Sequence, residues 1–196
     1  MSLQTWGECL VCQKADSPLQ TTFTTAKSVF GVDGTDAAAA CKYTVPAGFF
    51  VPGKTLEINM RGDMSNIVTT PGTITFQVMV GAVIAFTTGA IQFSTTAHTT
   101  LPFWLDIDLT CQLEGGGTQA KLMGQAKITS NCISNTAVAD SVASDIPTLM
   151  GPNTTPALGT GFDSTAAQKI DIFAGFSISN AGNGVRSRQY RLIAWN

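Results

Sequence analysis

With 196 residues, the chain has room for one large domain, or for one domain and an arm, and its size alone demands no disulfide framework. A net charge of −2 and a pI near 5.2 give no general attraction to nucleic acid or to an anionic membrane. No run of about 18 apolar residues is present to span a bilayer.

The charged fraction, 12%, is about half of the ~25% usual for a globular domain, and Thr, Gly, Ala and Ser stand where Lys and Glu would normally lie. Weak repulsion between copies suits a protein whose outer faces meet other subunits, and the same composition fits an ordinary Thr-rich β domain. The opening Met1-Ser2-Leu3-Gln4-Thr5-Trp6 lacks the basic-then-apolar order of a secretory signal, so folding in a cytoplasm is expected. The five cysteines, Cys9, Cys12, Cys41, Cys111 and Cys132, are odd in number and without framework spacing, which argues for reduced thiols.

In chain order, residues 1–30 carry isolated bulky groups, Trp6, Leu10, Phe23 and Phe30, among Thr, Gln and Ser. They are too sparse for a core of their own and predict an arm or edge segment that docks onto the domain or onto a neighbour. Residues 31–196 read as a single β domain. After a turn at Asp33-Gly34-Thr35-Asp36, Cys41 to Val45 predicts a short strand stopped by Pro46. Leu56, Ile58, Met60 and Met64 then alternate with Glu57, Asn59, Arg61 and Asp63, and Gly62 on the inward row marks a bulge or a close approach.

Thr69-Thr70-Pro71-Gly72 turns into Ile74, Phe76, Val78 and Val80, and the two strands are expected to pair as a hairpin. Short strands follow at Val83 to Phe86 and Ile91 to Phe93. The longest alternation runs from Thr99 to Leu113, with Leu101, Phe103, Leu105, Ile107, Leu109, Cys111 and Leu113 on one face and Trp104, Asp106, Asp108, Thr110 and Gln112 on the other. A charged outer row implies an antiparallel sheet with one solvated side.

Gly115-Gly116-Gly117 turns into a strand from Ala120 to Ile128. Periodicity fades over about 131–158, a surface excursion with a short strand expected at Ile146 to Leu149, because a structureless loop of that length is rare in a compact domain. Strands from Ile170 to Ile178 and from Val185 to Trp195 complete the chain. No convincing helix is present, and the whole predicts an all-β, antiparallel two-sheet sandwich, with a jelly roll preferred over an immunoglobulin-like topology.

Two phrases carry a resemblance. Tyr43-Thr44-Val45-Pro46-Ala47-Gly48-Phe49-Phe50-Val51-Pro52-Gly53-Lys54-Thr55-Leu56 resembles a strand, apolar turn, Gly-Lys, strand phrase of tailed-phage structural proteins. Gly159-Thr160-Gly161-Phe162-Asp163-Ser164-Thr165-Ala166-Ala167-Gln168, followed by an alternating strand and a Ser-Asn-Ala-Gly-Asn turn, is similar to another. With the hairpin at Ser65 to Gly72, they cover roughly half of the chain.

The resemblance implies a virion component on a β-sandwich, a capsid decoration or cement protein at the capsid surface, with the major capsid protein as partner and a homo-oligomer, a trimer, as its form. The alternative is a tail or fibre module that binds a host receptor or glycan through the loops around Asn131 to Leu158. In the first reading Trp6, Leu10, Phe23 and Phe30 are the expected capsid or subunit contact.

No catalytic constellation is expected, and no metal or cofactor. His98 is a single histidine in a Thr-rich turn and cannot supply a zinc site alone. Cys9 and Cys12 form a C-x-x-C with no second pair at zinc spacing and no βαβ pattern around it. Asp106 and Asp108 share a strand face at about 7 Å, a separation glycosidase carboxylates can use, yet the polar row simply continues through Thr110 and Gln112.

Arg61-Gly62-Asp63 spells an adhesion tripeptide but sits in mid-strand, and Asp33 and Asp36 belong to too short a loop for a calcium cage. The Gly115 to Gly117 run opens no helix and carries no phosphate-loop Lys. Arg186 and Arg188 are expected on one face of the last strand with Arg191 on the other, a poor stripe for nucleic acid and a better edge guard or subunit salt bridge.

Overall fold

Alternating apolar and polar side chains suit a strand and not a helix, and the computed structural model forms strands at nearly every such stretch. It describes residues 6–67, 69–134 and 148–195. In order, the strands are β1 (Gly7–Cys12), β2 (Gln20–Thr21), β3 (Lys27–Ser28), β4 (Tyr43–Val45), β5 (Thr55–Asn66), β6 (Thr73–Val80) and β7 (Val83–Thr87). They continue with β8 (Ile91–Gln92), β9 (His98–Leu113), β10 (Lys121–Ser130), β11 (Thr148–Gly151), β12 (Gln168–Phe176) and β13 (Gly184–Trp195). The all-β, two-sheet sandwich read from the sequence is the observed fold.

A seven-stranded antiparallel sheet runs β1-β13-β5-β9-β10-β11, with β2 also on β13. A six-stranded sheet runs β3-β12-β6-β7, with β4 on β12 and β8 on β6. At the centre of the first, β9 lies between β5 and β10, and Phe103, Leu105, Ile107, Leu109 and Cys111 on its inward row are buried. Between the sheets, the rings of Phe76 on β6 and Phe103 on β9 stack 5.9 Å apart. Gly124 on β10 leaves room for the Phe86 ring of β7, since a β-carbon there would stand 2.3 Å from it.

Two expectations are corrected. β5 and β6 do not form a hairpin: the chain crosses between the sheets after β5, which pairs with β13 and β9 while β6 pairs with β12, β7 and β8. Cys41 ends a short 3₁₀ turn, Ala37–Cys41, rather than opening a strand, so β4 starts two residues later. Of the strand expected at Ile146 to Leu149, Thr148 and Leu149 lie in β11, which runs on to Gly151; Ile146 and Pro147 lie outside the described residues, as do residues 135–145 of the excursion.

Residues 6–30 take part in both sheets. β1 and β2 hold β13, and β3 holds β12. Phe30 is wholly buried, its ring 4.7 Å from that of Tyr190, and the Phe23 ring lies 4.8 Å from Phe176. Those two phenylalanines serve this domain's own core and present almost no surface to a partner. Strands of two residues carry no visible periodicity, which hid the contribution of this segment from sequence reading.

The same segment is clamped to β12. Ser28 Oγ donates to Asp171 Oδ1 at 2.9 Å, and the largely buried Lys42 Nζ reaches Gly31 O and Asp33 Oδ1, both at 2.6 Å, with Asp171 Oδ2 at 3.7 Å. Lys169 closes on the other oxygen of Asp33 at 2.7 Å. Burial pushes the Asp171 carboxyl up to about 6, against the opposing pull of Ser28 and Lys42.

A carboxyl whose folded pKa lies above its unfolded value stabilises the fold most when protonated, and that contribution is lost as pH rises through about 6. Asp171→Asn keeps the acceptor for Ser28 without the buried charge. Relative to the parent chain, its stability advantage at pH 7.5 should shrink by about 2 kcal/mol at pH 4.5. Denaturant melts of both proteins at the two pH values check this; a gap independent of pH would contradict it.

Candidate functional site

The outer face of the seven-stranded sheet collects most of the polar chemistry singled out from the sequence. Register places Glu57, Asn59, Arg61 and Asp63 of β5 opposite Asp108, Asp106, Trp104 and Pro102 of β9. On the other side of β5, Arg186, Arg191, Ile193 and Trp195 of β13 lie opposite Asp63, Asn59, Glu57 and Thr55.

These side chains form a lattice of three polar clusters. Arg61 Nη1 meets Asp106 Oδ1 at 2.7 Å, Asn59 Nδ2 donates to the same oxygen at 3.0 Å, and Arg191 Nη2 donates to Asn59 Oδ1 at 2.9 Å. The Arg61 guanidinium also stands over the Trp104 ring, 5.2 Å from its centre. Trp195 Nε1 donates to Glu57 Oε2 at 2.9 Å, and the Trp195 ring lies over Gly7, where a β-carbon would stand 2.5 Å from it.

Asp63 is the hub at the other end. Its carboxylate accepts from Arg186 Nε at 3.0 Å and Nη2 at 2.5 Å, and from Arg188 Nε at 2.6 Å and Nη2 at 3.1 Å. Arg188 extends further to Asp16 at 2.5 Å. Burial opposes ionisation of Asp63, but the two arginines outweigh it and hold the carboxyl below its ordinary value. Asp108 is shifted the other way, by burial and then by the neighbouring charges of Glu57 and Asp106.

The lattice revises the expected placement of the arginines. A bulge between Ser187 and Gln189 adds one residue to β13, so the alternation changes phase and Arg191 joins Arg186 and Arg188 on the outer face. Gly62 sits on the inward row opposite the bulge, and a β-carbon there would lie 1.9 Å from Arg186 O, so only glycine admits this close approach. The close approach read from the sequence is therefore present, and Arg61-Gly62-Asp63 is a mid-strand segment with both charges paired.

Asp106 and Asp108 share the outer face as read, with Asp106 committed to Arg61 and Asn59. Asp33 is held between Lys42 and Lys169, and an Asp36 oxygen accepts from Val32 N at 2.7 Å. His98 begins β9 opposite Asn66. Gly115 N donates to Ser164 Oγ at 2.9 Å in the turn before β10. Among the described residues no group of three or more His, Cys, Asp or Glu side chains is placed to hold a metal ion, and no helix is long and apolar enough to cross a membrane.

Of the four bulky residues assigned to a contact, Trp6 is 57% exposed, Leu10 is half-buried against the core, and Phe23 and Phe30 are interior. The sequence reading missed Trp104, 58% exposed at the middle of the face, and Trp195 at its edge. Its signal was available: Trp104 is the one aromatic residue on the polar row of the longest alternation.

A cleft of about 350 Å³ opens where β8 faces β10 and β11, lined by Thr88, Ile91, Ala126, Ile128, Leu149 and Met150 among others, with no aromatic residue among the described ones. Comparison with family models, with curated proteins and with solved structures gave no match to this chain.

Asp63→Asn removes the charge while keeping the shape and leaves Arg186 and Arg188 facing one another. A loss of about 2–3 kcal/mol is expected at pH 7. A denaturant melt measures it, and a loss under about 0.5 kcal/mol, as at an ordinary surface position, would show that the hub does not hold β5 to β13.

Proposed function

We propose that this chain is a structural protein of a tailed-phage virion, a decoration or cement protein that seats the outer face of its seven-stranded sheet on neighbouring subunits at the capsid surface. The observation that carries the reading is the composition of that face. Asp63, Asp106, Arg61 and Arg186 are already paired within the sheet, so a partner can cover these four without leaving an isolated ion behind.

Trp104 and Trp195 stand exposed among those pairs and supply the aromatic anchors that dominate protein interfaces, with Trp6 also exposed near the start of β1. The two phrases resembling phage structural proteins support the virion setting. The mechanism is mechanical: each copy adds contact area between major capsid subunits, and many symmetric copies, as trimers, turn a modest contact into avidity.

A second reading rests on Trp104 itself. An exposed indole flanked by Arg61, Asp106 and Gln189 is also a platform for a sugar ring, which suits a tail or fibre module that binds a host glycan.

The test is cosedimentation of the full chain with capsids of the producing phage stripped of it, beside Trp104→Ala. Saturable binding at a fixed ratio to the major capsid protein is expected, weakened at least about tenfold by the substitution. Sedimentation of the free protein should give about three times its 20.5 kDa chain mass. Failure of the parent chain to bind shells, with Trp104-dependent binding on a glycan array, would replace the decoration role with the second reading. Deleting residues 2–30 is not a substitute, because it removes β1, β2, β3, Phe23 and Phe30 and is expected to unfold the domain.

A further inference from the structure

β1 is the outermost strand of the seven-stranded sheet, paired on one side only. Residues three apart in a regular strand point to opposite faces. In β1 the register shifts between Cys9 and Val11, so Leu10 is an extra residue and Cys9 and Cys12 fall opposite Ile193 and Arg191, both on the outer face. The two exposed thiols thereby meet, with Sγ atoms 2.8 Å apart. The remaining cysteines, Cys41, Cys111 and Cys132, are buried and distribute through the core.

We propose that Cys9 and Cys12 form a dithiol–disulfide site, oxidised by a low-molecular-weight disulfide of the glutathione class, that locks β1 onto the edge of the sheet. An approach of about 0.8 Å from the observed 2.8 Å brings the sulfurs to the ~2.0 Å of a disulfide bond. One cysteine, as thiolate, attacks a sulfur of the oxidised co-reactant and expels one thiolate, leaving a mixed disulfide on the protein. The second thiolate then attacks the protein sulfur of that mixed disulfide, forms the Cys9–Cys12 bond and expels the second small thiol. The protein loses two protons and two electrons, and the co-reactant takes them up and is reduced to two thiols.

Closure fixes the Leu10 bulge and with it the pairing that places Gly7 under the Trp195 ring and Gln13 N on Tyr190 O at 2.8 Å. The thiol hydrogen shared with Cys12 keeps the Cys9 thiol above its ordinary pKa, with the nearby Arg191 charge opposing, so the reaction should quicken toward alkaline pH, where the thiolate forms. Burial pushes Cys41 and Cys132 up to about 11, and these thiols serve as internal controls. The site is independent of the virion reading and stands or fails separately from it.

The full native chain is incubated with oxidised glutathione at pH 8, blocked with N-ethylmaleimide, denatured, labelled with a second alkylating agent and digested with trypsin. The peptide Met1–Lys14 contains Cys9 and Cys12 and no other cysteine. The expected product is that peptide lighter by two hydrogens and unlabelled, in a chain that remains free of intermolecular disulfides, while Cys41, Cys111 and Cys132 carry only the second label.

Cys9→Ser and Cys12→Ser should each stop at a stable glutathione adduct on the remaining thiol. Amide exchange over residues 7–13 should slow on oxidation and return to its initial rate with dithiothreitol. A peptide in which both thiols keep the first label, or a parent chain that accumulates the glutathione adduct instead of closing, would overturn the proposal.

Discussion

The structure depends on the register of β9 between β5 and β10. Once Ile107 is set opposite Ile58 and Ala126, every second residue of three strands faces the six-stranded sheet and every other one faces outward. A slip by one residue would bury Asp106 and Asp108 and expose Leu105 and Leu109. The apolar core and the polar outer lattice are therefore two consequences of one pairing, and neither can change without the other.

Regular alternation does not by itself produce that outer face. Two bulges, at Leu10 in β1 and at Arg188 in β13, each shift a strand by one residue, so that side chains on opposite parities collect on the same side. In β13 the shift gathers Arg186, Arg188 and Arg191; in β1 it gathers Cys9 and Cys12. Gly62 is the matching concession on β5, since any side chain there would collide with the bulged backbone. The local irregularities are thus what concentrate charge and thiols on one surface.

Strands with a long period-2 pattern were legible because burial on one face leaves its mark on every second residue. β5, β6, β9, β10, β12 and β13 all lie within a few residues of where alternation places them. What escaped was non-local or too short. Which strands pair is a property of two distant stretches, so the change of sheet after β5 could not be read, and β2 and β3 are pairs of residues held by partners far along the chain. The candidate site was partly visible as a polar row with Trp104 in it, but the joining of Asp63 to Arg186 and Arg188 needed the bulge, which leaves no sequence pattern.

The two outer faces differ in how the chain uses them. On the six-stranded sheet, β3 and the turn before β4 cover part of β12, and Lys42 and Ser28 close over Asp171 there. Burial there holds Asp171 above its ordinary pKa against the pull of Ser28 and Lys42, and the contact consumes surface that a partner would need. On the seven-stranded sheet Arg61 pairs with Asp106 and Asp63 with Arg186 in the plane of the face, and Trp104 stays exposed above them. An uncovered aromatic group beside ions that are already paired has little to gain from its own chain and more from another surface, which is the physical ground of the proposed contact.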